Sequence, residues 1–262
     1  KIVKQITDLN EKGGDYKIWL DREFHQNLGE NNQLELAKES YLQQYFMNKH
    51  FDHGGKALLS ILEKDKKFLN VLLRSIVERQ IKLKAIEHRE LSIVWELEGA
   101  EEVIDNAILL MVEMNTNYTI GEDFINTFFY ESHLRSVQVN TYLLNLIKKY
   151  YYRVDVVNIA FNVINYSKKD LFDKAFVTYL SINQSKDDFE QIDWFENQII
   201  YPGGAKVSKI KISKWQYLLN LVEGHEKRLD LIEIKRFINS QIGHQENFAV
   251  IEESWNFLKE TW

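Results

Sequence analysis

The stretch HFDHGGKAL places His50, Asp52 and His53 within four positions, with His25 upstream. Imidazole nitrogen and carboxylate oxygen at such spacing are donors that hold a divalent cation. His50, Asp52 and His53 are therefore the metal candidates of the chain. Two or three ligands leave a site unclosed, however, and no H-E-x-x-H helix accompanies them. A polar helix end followed by a loop explains the same letters. The stretch also fails as a phosphate loop, which needs G-x-x-x-x-G-K-[ST] so that backbone amides cradle phosphate and the hydroxyl holds Mg²⁺. Here His50 stands at the first glycine position and Ala57 where the hydroxyl belongs. None of the seven histidines has Arg five residues before it, which leaves the helical nucleases built on R-x-x-x-x-H without support. Glu96, Glu98, Glu101 and Glu102 read as a solvated helix face. The chain reads as non-catalytic, with no cofactor implied.

A second constellation interleaves Lys148, Lys149 and Arg153 with Tyr150, Tyr151 and Tyr152. Cations and aromatic rings together stack bases and track a phosphate backbone. On a helix, though, successive side chains point roughly 100° apart, so three consecutive Tyr form no single platform. Tyr and Arg are also favoured anchors of protein interfaces. We read Lys148, Lys149, Tyr151 and Arg153 as protein-contact residues and nucleic acid as the disfavoured partner. A net charge of −6 and a pI near 5.7 agree with that preference.

The third cluster follows the only proline of the chain. Pro202 donates no backbone hydrogen bond and disfavours helix at Tyr201, and Gly203-Gly204 admits positive φ. From residue 209 to 212 Lys alternates with Ile, an extended pattern rather than a helical one. Ser213 is placed to cap a helix opening at Lys214-Trp215. Residues 201–213 thus read as a long basic loop. Lys206, Lys209, Lys211 and Lys214 are its contact candidates, unless Ile210 and Ile212 make it a packed spacer.

The elements that would carry these residues are helices. Apolar residues recur at three and four almost throughout, as in KKFLNVLLRSIVERQIKLKAI and VQVNTYLLNLIKKYYYR. One Pro and 11 Gly are too few for an all-β chain that turns at every hairpin. Helix breaks fall at Gly13-Gly14, at the Gly54-Gly55 pair and near Gly99. Gly29, Gly224 and Gly243 stand at expected C-terminal helix caps, and Ser185 opens a short helix running toward Ile200. The fold class is all-α, about a dozen helices in an irregular HEAT-like α-solenoid of stacked hairpins, with a helical bundle as the alternative. No fixed-period repeat is visible, which disfavours tetratricopeptide and ankyrin arrays. The organisation read from this is a helical array over 1–200, the loop over 201–213 and a C-terminal helical block over 214–262.

Composition narrows the class further. Hydrophobic residues at 45% and aromatics at 13% supply ample core volume, which argues against disorder. The absence of cysteine removes disulfides, Cys-ligated zinc and thiol catalysis, and it fits a cytoplasmic protein. No apolar run approaches the roughly 20 residues of a membrane span. The chain opens without Met and without a signal-peptide core, so it reads as a fragment or a processed chain.

One resemblance joins these observations. DLFDKAFVTYLSINQSKDDFEQIDWF, a Pro/Gly/Ser loop and WQYLLNLVEGHEKRLDLIEIKRFINSQI together resemble the C-terminal helical region of bacterial STAND-type NTPases, some of which act in antiphage defence. The residues that match in kind are Phe176, Asn183, Phe189, Phe195, Pro202, Gly203, Gly204, Ser208, Leu218, Leu219, His225 and Ile238, over roughly the last 100 residues. The resemblance implies a sensor or autoinhibitory arm whose nucleotide-binding module lies N-terminal to it. Its partners would be that ATPase module and a protein ligand, a phage protein among the possibilities. A stand-alone helical scaffold or adaptor is the alternative; a metal-dependent or nucleic-acid-binding protein comes after it.

Overall fold

The computed structural model describes residues 33–47, 52, 55–78, 89–114, 128–129, 136–165, 169–194, 207–225 and 231–260. Helix takes up 85% of them and no strand occurs among them, so the protein is all-α. The chain falls into two compact units, Lys1–Val139 and Asn140–Trp262.

In the first unit α1 (Leu34–Met47), α2 (Lys56–Leu62) and α3 (Phe68–Glu78) follow one another, and each packs on the next. A 3₁₀ segment, Arg89–Glu96, then leads into α4 (Ala100–Glu113). The spacing of Phe68, Leu69, Leu72, Leu73 and Ile76 gives α3 one apolar face, and all five are buried. Tyr41 on α1 meets the ring of Phe68 edge-on at 5.9 Å. The expected break near Gly99 is present: Gly99 takes φ 72° between the 3₁₀ segment and α4, a conformation that favours glycine. Lys38 ties α1 to the turn before α3 through Asp65 at 2.6 Å, and that hydrogen bond raises the lysine's pKa while lowering the carboxyl's.

α5 (Ser136–Lys149) carries the chain into the second unit, followed by α6 (Val154–Asn165), α7 (Lys169–Ile182) and α8 (Lys186–Glu190). Their core is aromatic. The Trp194 indole lies 4.8 Å from Phe161, 5.2 Å from Phe176 and 4.7 Å from Phe189 between ring centroids. Its N–H, which burial would otherwise orphan, donates to the Phe189 carbonyl at 3.0 Å. Ser185 caps α8 by accepting from the Asp188 amide. The helix is shorter than the expected run to Ile200, ending at Glu190.

The hairpin of α9 (Val207–His225) and α10 (Ile232–Glu260) completes this unit, and here the structure differs most from the expectation. Residues 207–213 are the first two turns of α9, not loop, and Ser213 does not cap: its hydroxyl donates back to the Lys209 carbonyl inside the helix. The reason is tertiary. Glu252 of α10 accepts from the Ser208 amide at 3.4 Å, serving one of the amides that a helix start leaves without an internal partner. Lys209 meets Glu253 at 2.7 Å and Lys235 meets Glu223 at 3.1 Å, so the two helices run antiparallel. Gly243 is likewise no cap. It lies in the middle of the 29-residue α10, while Gly224 sits within the last turn of α9. Pro202, Gly203 and Gly204, like the expected helices before residue 33 and the Gly29 cap, lie outside the described residues.

Candidate functional site

Asp52 is occupied as a structural residue. It is 3% exposed, and its carboxylate accepts from the Ala57 and Leu58 amides at 3.0 Å each and from the Tyr41 hydroxyl at 3.2 Å. Gly55, at φ 70°, is the residue that formally precedes α2, and it has no side chain to serve the first amides. Asp52, three residues upstream, does so instead, and a carboxylate suits the positive end of the helix dipole. His50 and His53 lie outside the described residues. Among the described residues no group of three or more His, Cys, Asp or Glu could hold a metal ion.

The tyrosines do not ride on a helix. α5 ends at Lys149, and Tyr150 to Tyr152 form a turn closed by the Arg153 amide donating to the Tyr150 carbonyl at 2.8 Å. The turn sorts the three rings. Tyr150 is buried at 8% exposure, with the Lys149 ammonium 5.1 Å from its centroid; Tyr151 and Tyr152 are 39% and 63% exposed. The two outer rings meet edge to face at 5.6 Å. Lys148 and Lys149 stand exposed in the last turn of α5.

What holds this turn lies largely outside it. Asn183, buried after α7, places its amide nitrogen 3.1 Å from the Tyr151 carbonyl, 3.2 Å from the Tyr179 hydroxyl and 2.8 Å from the Asp188 carboxylate. Its carbonyl oxygen accepts from the Ser185 amide at 2.9 Å. One side chain thereby joins the tyrosine turn to the α7–α8 junction. Burial, then the nearby Asp188 carboxylate, pushes the Tyr179 phenol well above its ordinary value, so it stays protonated as a donor or neutral acceptor. Arg153 faces Asp155, with Nε at 3.0 Å and Nη2 at 2.7 Å from its oxygens. That bond, helped by the Val156 amide, holds the Asp155 carboxyl below the usual range.

The lysines expected as one basic loop are distributed around α9. Lys206 lies outside the described residues. Lys209 is paired with Glu253. Lys214 is half-buried, and loss of solvation lowers its pKa. Lys211 lies roughly 200° around the helix from Lys209, and it borders a cleft of about 520 Å³ that no local pattern announces.

Among the described residues, three elements line that cleft. The end of α8 and the residues after it contribute Glu190, Asp193 and Trp194; α9 contributes Lys211 and Trp215, one turn apart; α10 contributes Phe237, Gln241 and Gln245 at intervals of four. Trp215 meets Phe237 edge to face at 5.8 Å, and Phe237 touches the Phe189 ring of the core at 6.0 Å. The spacing of Phe237, Gln241 and Gln245 marks one helix face in the sequence. Nothing local shows that Lys211 and Trp215 stand opposite it, since that depends on α9 beginning at Val207. No family model, curated protein or solved structure matches the chain.

Proposed function

We propose that the chain is a non-catalytic recognition module, an irregular HEAT-like array of helical hairpins that binds a protein ligand. In the reading that the C-terminal resemblance suggests, it works in the bacterial cytoplasm and biases an attached STAND-type ATPase. The observation that carries the recognition reading is the tyrosine turn. Tyr151 and Tyr152 present large amphipathic rings to solvent on a backbone held from beneath by Asn183. Exposed aromatic area in a fixed conformation loses little entropy on binding, which is why Tyr anchors so many interfaces. Lys148 and Lys149 beside it would favour an acidic ligand surface and speed its approach at low salt.

Two measurements test the two halves of the proposal. The reading frame that encodes the chain should also encode a nucleotide-binding segment; a frame that closes a short way upstream without one removes the ATPase half. In the parent protein, Tyr151→Ser/Tyr152→Ser should leave basal ATP turnover unchanged and abolish protection of the host against phage. Full protection by that variant removes the tyrosine turn as the contact surface. A second reading, a self-associating scaffold, draws on Phe248, Val250 and Ile251, which stand exposed on the distal half of α10. It requires a concentration-dependent sedimentation coefficient that Phe248→Ser/Ile251→Ser removes.

A further inference from the structure

We infer that the cleft between α8, α9 and α10 is a second recognition site, one that seats an arginine side chain of a partner protein with an acidic residue beside it. The size fits: about 520 Å³ falls within the range of ligand clefts, and the cleft is half open to solvent, so a side chain of a partner can enter it. The lining carries both aromatic faces and opposed charges. Trp215 and Phe237, set edge to face, offer π surface to a cation. Glu190 and Asp193 stand on the α8 wall, and Lys211 stands on the α9 wall. An occupant that matches this distribution carries its positive group toward α8 and its negative group toward α9.

A guanidinium meets those demands better than an ammonium. It is planar, so it stacks on an indole while its edge still donates to a carboxylate, and it sheds water more readily. The amides of Gln241 and Gln245 on the third wall add acceptors for the remaining N–H groups. Glu190 is already paired with Lys186 at 2.7 Å, in an exposed pair between residues four apart. Such pairs contribute little, so exchanging the lysine for an incoming guanidinium costs little. Lys211 makes no ion pair among the described residues, and it excludes a second cation from the α9 side. An acidic neighbour of the arginine supplies its counter-charge. The partner chemistry is therefore an Arg-Asp or Arg-Glu step on an exposed protein segment.

The probe is the peptide acetyl-Gly-Arg-Asp-Gly-amide, titrated into the whole chain while the Trp215 indole N–H resonance is followed by NMR. Saturable movement of that resonance is expected, with the citrulline peptide, which lacks only the cation, binding about tenfold more weakly. Trp215→Leu should abolish the response of the remaining cleft resonances. Because that change touches a half-buried residue, Lys211→Glu supplies an independent arm. It should reverse the preference, so that acetyl-Gly-Arg-Lys-Gly-amide binds better than the Arg-Asp peptide. Equal binding of the citrulline peptide, an unchanged preference in Lys211→Glu, or no movement of the Trp215 resonance at millimolar peptide would each overturn the inference. A stronger response to acetyl-Gly-Asp-Gly-amide would also overturn it, pointing to an acidic ligand on Lys211. Dilution-dependent shifts without peptide would overturn it in favour of a second copy of the chain. Tyr151→Ser/Tyr152→Ser should bind the Arg-Asp peptide as wild type does, so failure of this site and failure of the tyrosine turn are separately visible.

Discussion

Residues 154–194 and the α9–α10 hairpin belong to the same unit but are held together by different means. In the first, Phe161, Phe172, Phe176, Tyr179, Phe189 and Trp194 form one contiguous cluster of rings, all buried. In the hairpin, α9 buries only Ser208, Leu218 and Val222 among its 19 residues. α10 buries Ile234, Ile238 and Ile242, and among the residues after Ile242 whose side chains are described none is buried. Its distal half relies on helix propensity and on partly exposed pairs such as Lys209 with Glu253. Rings packed on rings make a foundation that tolerates little change. A lightly buried hairpin leaves side chains such as Phe237 and Lys211 half-buried along its length. The candidate surfaces lie where the packing is thinnest or where the core ends.

The largest expected effect falls on the ring cluster. Phe176→Ala removes a ring in contact with Phe172, Phe189 and Trp194, and should cost about 3–5 kcal/mol by denaturant unfolding. Phe248→Ala on the hairpin should stay within about 0.5 kcal/mol of wild type. Similar losses at the two sites would end the comparison.

Asn183→Ala comes next. It strands the Tyr151 carbonyl and the Ser185 amide together, and about 1–3 kcal/mol should be lost. The exposed Tyr151 and Tyr152 rings should at the same time gain mobility, seen as collapse of their aromatic proton shift dispersion. Retained dispersion would show that the turn does not need this anchor.

In the hairpin a change should stabilise. A Cβ added at Gly243 meets nothing within 4 Å, and the residue lies inside a helix, so Gly243→Ala should gain about 0.5–1 kcal/mol. A loss there would mean that α10 bends at Gly243.

The smallest effect concerns pH at the tyrosine turn. Asp155 is held below its ordinary value of 3.8 by Arg153, so the stability it contributes is fully present above that value and is lost as pH falls through its depressed folded value. The difference in urea midpoint between wild type and Arg153→Met should therefore shrink between pH 5 and pH 2. A constant difference across that window would show that the pair does not contribute through the carboxylate.

Much of this architecture is legible in the sequence. The 3.6-residue period gave the all-α class because an apolar stripe repeats wherever a helix must cover a core. The break at Gly99 and the start of a short helix at Ser185 are readable because both act within a few residues of themselves. The candidate sites were less legible. Tyr151 and Arg153 are both expected contact residues; Tyr151 stands exposed on the turn, and Arg153 is paired with Asp155 two residues on, which its spacing alone does not announce. The lysines of residues 206–214 were grouped by sequence, and the helix separates them by angle.

What the sequence by itself determined is the part governed by local interactions: helical character, the breaks set by glycine backbone freedom, and the absence of cysteine chemistry. What the tertiary structure decided is every case in which a distant group outweighs a local preference. Glu252, 44 residues from Ser208, supplies the acceptor that lets α9 start at Val207 despite an alternating Lys-Ile pattern. Gly243 stays helical inside an α10 whose Ile234, Ile238 and Ile242, just before it, are buried, because a glycine's cost of about 1 kcal/mol is less than that burial returns. Asn183 reaches 32 residues back to the carbonyl that fixes the tyrosine turn. A hydrogen bond or buried face is indifferent to separation along the chain, and local pattern cannot report it.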